Sequence, residues 1–154
     1  MFKTILITGA GTGIGKDTAF ALSQRGHRVL ATTQTEAQAL ALQQEANAKQ
    51  LKLETFKLDI TSAADRALLT QHHIDVLINN AALGDSGSLA EVDMQRVRQL
   101  FEVNLFATLE LSQVALRQMI ERQSGTVLFI SSIAGRVPMP FLMPYSMTKF
   151  ALSA

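Results

Sequence analysis

The sequence predicts an α/β fold in which a doubly wound parallel sheet carries helices on both faces. Three observations predict it. Short β-rich runs alternate with longer segments of helical periodicity, the first run passes straight into a glycine-rich turn that opens a helix, and several helical segments carry start or stop residues.

The elements follow in chain order. Five strands are expected, over residues 3–8, 28–33, 51–58, 75–79 and 126–131. The first helix is expected over 15–25, closed by Gly26 as a C-terminal cap, and the second over 36–48, opened by Thr35. A short helix runs from Ser62 to about Gln71. Residues 92–122 form a long helical region, two helices or one bent one, stopped by Ser124 and Gly125. Pro144 suits the first position of a final helix, with Met143 biased to an extended conformation before it. The one glycine cluster that reads as a loop, 84–88, follows the fourth strand. With no repeat, low-complexity tract or linker, residues 1–154 are expected to form one domain.

Composition narrows the functional classes. A chain of 154 residues, 47% hydrophobic and 18% charged, can build a real core and is not expected to be disordered. Its net charge of +1 comes from 14 basic and 13 acidic residues mixed along the chain, which disfavours nucleic-acid or membrane-surface partners. There is no cysteine, hence no disulfide framework, thiolate zinc site or thiol nucleophile, and no metal is assigned. The opening MFKTILIT is too short for a signal peptide and no apolar run approaches the ~20 residues of a membrane span, so a cytoplasmic protein is expected.

The first chemical signal is the glycine loop. Strand residues Thr4 to Ile7 lead into TGAGTGIG at 8–15, after which the chain turns helical. Glycines let the backbone turn sharply and approach a pyrophosphate without a Cβ in the way, and the new helix points its unpaired N–H groups at the anion. A turn that merely joins strand to helix is the alternative, and the flanking strand and helix weigh against it. Gly9, Thr12, Gly13, Ile14 and Gly15 are therefore candidate phosphate ligands in a Rossmann-like unit. Such a unit usually places an acid for the ribose hydroxyl ~20 residues on. Here Thr32, Thr33, Gln34 and Thr35 stand at the end of the second strand, with neither a carboxylate to repel a 2′-phosphate nor an arginine to grip one. The cofactor expected is NAD(P), with a slight lean to NADP(H) and with Thr33 at the ribose.

The second signal lies near the end of the chain. The fifth strand delivers Ser131 and Ser132 at its C-terminal end, where open α/β sheets place their ligands. Tyr145 is the only tyrosine, and Lys149 follows at i+4, so on a helix the phenol and ammonium share one face. Moving a hydride to or from an alcohol carbon needs a group that gives or takes the oxygen's proton near neutral pH. An ordinary tyrosine, with a pKa of ~10, is too weak a base by ~3 units or ~4 kcal/mol. A cation beside it can close that gap, while the Ser132 hydroxyl bonds the substrate oxygen. Taken alone, an exposed Tyr-x-x-x-Lys helix pair would be the blander reading, which the glycine loop upstream reverses.

Six motifs now resemble, in order, those of the short-chain dehydrogenase/reductase family: TGAGTGIG at 8–15, Asp59 in LDIT, NNAA at 79–82, Asn104 in FEVN, Ser132 in ISSIAG and YSMTK from Tyr145. The resemblance spans essentially the whole chain. It implies that Gly9, Gly13, Ile14 and Gly15 line the cofactor phosphates, that Asp59 and Ile60 lie by the adenine, and that Asn79 and Ala81 support the loop beside the cofactor. It also implies that Tyr145 is the catalytic base, Lys149 its helper and ribose ligand, Ser132 the substrate-oxygen donor and Asn104 the holder of a proton-relay water. Structural alternatives stand beside these: Asp59 ending a strand and starting a turn, Asn79 and Asn80 capping a loop, Asn104 as a helix polar residue.

Two departures matter. Ala82 stands where the family usually has glycine, which is tolerated if the local φ is negative. Family members also continue past the Tyr-x-x-x-Lys helix into further strands and a covering loop. The resemblance thus implies that this chain is truncated, with an unprotected fifth strand, weak cofactor binding and little turnover. The function expected is an oxidoreductase interconverting an alcohol and a ketone or aldehyde, homo-oligomeric when full length. A catalytically silent dinucleotide-binding module is the alternative. An epimerase or dehydratase is a third reading that the loop spacing disfavours. Val137, Met139, Phe141, Leu142 and Met143 suggest an apolar wall to the substrate pocket, though buried packing explains some of them equally well.

Overall fold

The computed structural model describes residues 2–154. Five parallel strands, β1 (Thr4–Ile7), β2 (Arg28–Thr33), β3 (Leu53–Lys57), β4 (Val76–Asn79) and β5 (Thr126–Phe129), lie in the order β3-β2-β1-β4-β5. This is the Rossmann-like, doubly wound arrangement, with the strand order reversing beside β1. Register is continuous: Ile5 pairs with Val29 on one side and with Val76 on the other. The expected strand positions hold, each trimmed by at most a few residues where pairing ends.

The alternation of side chains along β1 divides the core between the two faces. Ile5 and Ile7 pack with Phe20 and Ala19 of α1 (Gly13–Gln24) and Leu42 and Ala46 of α2 (Glu36–Ala48). Leu6, between them, faces the other way, toward Leu111, Ala115 and Met119 of α5 (Thr108–Glu121). Because β1 is covered on both faces it reads as a continuous apolar run. Among the described residues no helix is long and apolar enough to cross a membrane.

Two helical regions differ from expectation in detail. The segment from Ser62 is α3 (Ala63–Ala67), capped by the Ser62 hydroxyl accepting from the Asp65 N–H, and it tightens into a 3₁₀ turn over Leu68–Gln71. The long region is α4 (Met94–Phe101), a π-turn over Glu102–Ala107, and α5, so it is one helix interrupted by a local over-wide turn. The Thr108 hydroxyl donates to the Val103 carbonyl at 3.1 Å, supplying a donor to a carbonyl of the disturbed ladder. Gly26 closes α1 as expected, at φ +83°. The last helix, α6 (Met143–Ser153), has Pro144 in its first turn. Met143 itself is already helical, one residue earlier than the extended conformation the sequence suggests.

Candidate active site

At the C-terminal end of β1 the chain is bonded to the loop that follows β4. The Thr8 hydroxyl accepts from the N–H groups of Asn80 and Ala81, both at 3.0 Å, and Asn80 Nδ2 donates back to the carbonyls of Thr8 and Gly9. A Cβ on Gly9, which sits at φ +64°, would lie 2.8 Å from Ala81 Cα. One on Gly15 would lie 2.5 Å from both the Gly9 carbonyl and Asn80 Nδ2. Glycine is thus required at both positions by contact, and at Gly9 by conformation as well. Thr12 opens α1 with no side-chain cap, which leaves the helix's first N–H groups available to a ligand.

A cleft of about 880 Å³ extends from this loop, and Gly9, Thr12, Ile14, Gly15, Thr33, Asp59, Ile60 and Ala81 line it. Gly13 and Asn79, also expected here, do not. Gly13, at φ +54°, starts α1 beside the wall, and a Cβ there would meet nothing within 4 Å. Asn79 is buried, with its Nδ2 donating to the Ser112 hydroxyl at 2.9 Å, so it anchors β4 to α5 while its neighbour Asn80 holds the loop. Burial would raise the Asp59 carboxyl, but hydrogen bonds from the Thr61 hydroxyl, the Thr61 N–H and the Gln34 amide hold it below the usual carboxylate range. Ala82 is not among the described residues with positive φ, so its methyl group meets the condition set for it.

Ser132, Tyr145, Lys149 and Asn104 are not on the wall of this cleft, although Asn104 hydrogen-bonds Leu83, which is. Ser132 caps the 3₁₀ turn Ile133–Gly135: its Oγ accepts from the Ala134 N–H at 3.1 Å, which leaves its own hydrogen free to donate. Ser131, by contrast, is turned back onto α6, with its hydroxyl 2.7 Å from that of Ser153. Gly135 lets the turn press against α6, since a Cβ there would come within 2.7 Å of the Lys149 carbonyl. Lys149 is only 3% exposed, and burial pushes its ammonium below the usual lysine range. Its Nζ donates to the Ile130 carbonyl at 2.7 Å and stands 5.7 Å from the centre of the Tyr145 ring.

Asn104 lies in the π-turn at 1% exposure, its amide fully engaged as donor: Nδ2 donates to the Leu83 carbonyl and the Thr148 hydroxyl, and Oδ1 accepts from the Leu83 N–H. Thr148 in turn donates to the Tyr145 carbonyl. One side chain thus links the loop after β4 to α6.

Sequence reasoning missed several cleft residues: Gln34, Gln38 and Asn80, and Arg98, Gln99, Glu102 and Val103 of α4 and its π-turn. Signals for some of them were present. Thr35-x-x-Gln38 is a capping-box pattern, and the α4 residues recur at helical spacing on one face. Of the expected apolar wall, Met139, Phe141 and Met143 do line a pocket, of about 650 Å³, with Pro138, Pro140, Ser146, Met147 and Phe150. It is separate from the cleft and includes neither Ser132 nor Tyr145; Val137 and Leu142 are not on its wall.

Comparison with known proteins agrees with this geometry. The chain is 36% identical over 151 residues to carbonyl reductase (NADPH) 2 of Sus scrofa, covering 96% of this chain and 60% of that protein. A short-chain dehydrogenase structure from Streptomyces avermitilis matches with a TM-score of 0.87 at 32% identity, covering 98% of this chain and 57% of that one. A gluconate 5-dehydrogenase from Burkholderia cenocepacia, in complex with NADP and tartrate, matches with a TM-score of 0.89 at 28% identity, covering 97% and 61%. The chain therefore spans about 60% of the length of these relatives. The family model for short chain dehydrogenases matches residues 3–154, and the chain belongs to that family.

Proposed function

We propose that this chain carries the nicotinamide-dinucleotide site and the proton-transfer group of an NAD(P)-dependent oxidoreductase that interconverts an alcohol and a ketone or aldehyde. The glycine cradle fits the cofactor: side chains are excluded at Gly9 and Gly15, and the uncapped start of α1 meets the same cleft. Gly9, Thr12, Ile14 and Gly15 would hold the pyrophosphate, with Asp59 and Ile60 beside the adenine and Thr33 near the ribose. The lean to NADP(H) draws support from the neutral side chains at Thr33, Gln34 and Gln38, and from the NADPH and NADP in the names of two relatives.

The observation that carries the catalytic reading is the buried Lys149 ammonium against the Tyr145 ring. When bound, the nicotinamide supplies or accepts a hydride at the substrate carbon. In reduction, the electron pair of the C=O bond passes to oxygen, and Tyr145 delivers a proton to it; oxidation runs the same transfer in reverse. Lys149, desolvated and fixed by the Ile130 carbonyl, places a positive charge where it favours the phenolate. Ser132, with its hydrogen free, donates to the substrate oxygen as charge develops there. Asn104 acts as a positioning residue, since its donors are engaged with Leu83 and Thr148.

Lys149→Met tests the pairing. Alcohol oxidation, in which the phenolate is the base, should fall about a hundred-fold or more at neutral pH and recover in part as the pH is raised. A folded variant with unchanged activity across that range would remove Lys149 from the mechanism.

A further inference from the structure

Thr148 stands fully buried on α6, between Tyr145 and Lys149, and the proton transfer described above makes no use of it. Its hydroxyl donates to the Tyr145 carbonyl at 2.7 Å and accepts from Asn104 Nδ2 at 3.1 Å. A hydroxyl has one hydrogen and a carbonyl can only accept, so that hydrogen is committed to Tyr145 and the Asn104 group facing Thr148 must be a donor. The other end makes the same demand independently. The Leu83 N–H can only donate, so Asn104 Oδ1 must face it, at 2.7 Å, and Nδ2 gives its second hydrogen to the Leu83 carbonyl at 2.8 Å. The Asn104 amide therefore has one orientation that satisfies every bond. Through it, Leu83 on the cleft wall is tied to the backbone of the residue that carries the phenol.

A second buried pair has the same design but a different destination. Asn79 Nδ2 donates to the Ser112 hydroxyl at 2.9 Å, and that hydroxyl donates to the Thr108 carbonyl at 2.8 Å, one helical turn back. This pair joins β4 to α5 and ends neither on Tyr145 nor on a residue of the cleft wall. What distinguishes Thr148 is thus the two ends it joins and not the kind of bond it makes.

We propose that Thr148 is a positioning residue for proton transfer, its hydroxyl fixing the start of α6, and with it the Tyr145 phenol, relative to the dinucleotide cleft. This rests on the reading of Tyr145 as the proton-transfer group. Transfer requires donor and acceptor within hydrogen-bond reach and is sensitive to small misplacements. Cofactor binding depends instead on the Leu83 loop, whose two bonds to Asn104 do not involve Thr148. Loss of the Thr148 hydroxyl should therefore slow the chemistry and spare the cofactor.

Thr148→Val keeps the branched shape without the hydroxyl, and Thr148→Ser keeps the hydroxyl without the branch. In Thr148→Val, kcat for carbonyl reduction should fall about ten-fold or more while NADPH affinity stays within about two-fold, and Thr148→Ser should recover most of the rate. Tyr145 is the only tyrosine in a chain without tryptophan, so the protein's ultraviolet emission reports that one side chain. Acrylamide should quench it more strongly in Thr148→Val than in the wild type or Thr148→Ser. Thr148→Ala, which also lacks the hydroxyl, should behave as Thr148→Val does. Ser112→Ala breaks the matching pair and should lower the melting temperature comparably, with quenching and kcat at wild-type values. A folded Thr148→Val or Thr148→Ala protein with wild-type quenching and kcat would overturn the assignment of Thr148, as would failure of Thr148→Ser to restore the rate or an equal loss of kcat in Ser112→Ala. A wild type that reduces no carbonyl would overturn the reading of Tyr145, and this inference with it.

Discussion

Gly15 and Asn104 hold the site together by opposite means, one by having no side chain and the other by using every donor of a buried one. Gly15→Ala would force a methyl group to 2.5 Å from the Gly9 carbonyl, so the loop must open. A loss of about 1–3 kcal/mol in stability is expected, with weakened dinucleotide binding, by melting and titration. Gly13 differs, because its Cβ would point into open space. Gly13→Val should therefore act through its left-handed backbone, losing about 1–2 kcal/mol and disturbing the start of α1. Asn104→Ala leaves the Leu83 backbone groups without partners, and about 1–3 kcal/mol of stability should go with them. At this scale the glycines could be read from the sequence because contact with backbone admits no substitute. The exchange of roles between Asn79 and Asn80 could not, since it depends on which of two adjacent side chains faces α5.

Helix α6 and the 3₁₀ turn packed on it together carry Ser132, Tyr145 and Lys149. Their contact depends on Gly135. Gly135→Ala should push α6 away from the turn, because the obstructing atom is the Lys149 carbonyl and not a flexible side chain. The expected result is a drop in activity larger than the drop in cofactor affinity, measured by turnover and titration on the same protein. The four-residue spacing of Tyr145 and Lys149 made their common face readable in advance. The π-turn that buries Asn104 was not, since periodicity marks a long helical region but carries no signal for one over-wide turn. The capping box at Thr35 and Gln38 was readable as a helix start, while its orientation toward the cleft emerges only from the packing of α2 on β2 and β3.

For the whole molecule, the fold class was readable at the outset from strand runs alternating with helical segments, while the division of the core follows from side-chain alternation along the strands. Its pH response is written in carboxylates that tie the elements together. The Thr4 N–H donating to Asp75, and Lys57 paired with Asp65, hold both carboxyls below their usual range. As pH falls through that range the unfolded chain binds protons first, so stability is present above about pH 4 and is lost below it. Asp75→Asn should flatten the acid limb of a stability curve followed by urea melts. Lys149, whose pKa is lowered by burial, adds a rise in stability with pH between its folded value and the ordinary lysine value of about 10.4.

The functional account stands on Tyr145 as the proton-transfer group beside a dinucleotide cleft. Its most direct test measures NADPH affinity and the rate of carbonyl reduction side by side in the wild type and in Tyr145→Phe. The phenylalanine variant should keep its affinity for NADPH within about two-fold, because Tyr145 is off the cleft wall, while the rate falls about a hundred-fold or more. Reduction at an undiminished rate by a folded Tyr145→Phe protein would contradict it.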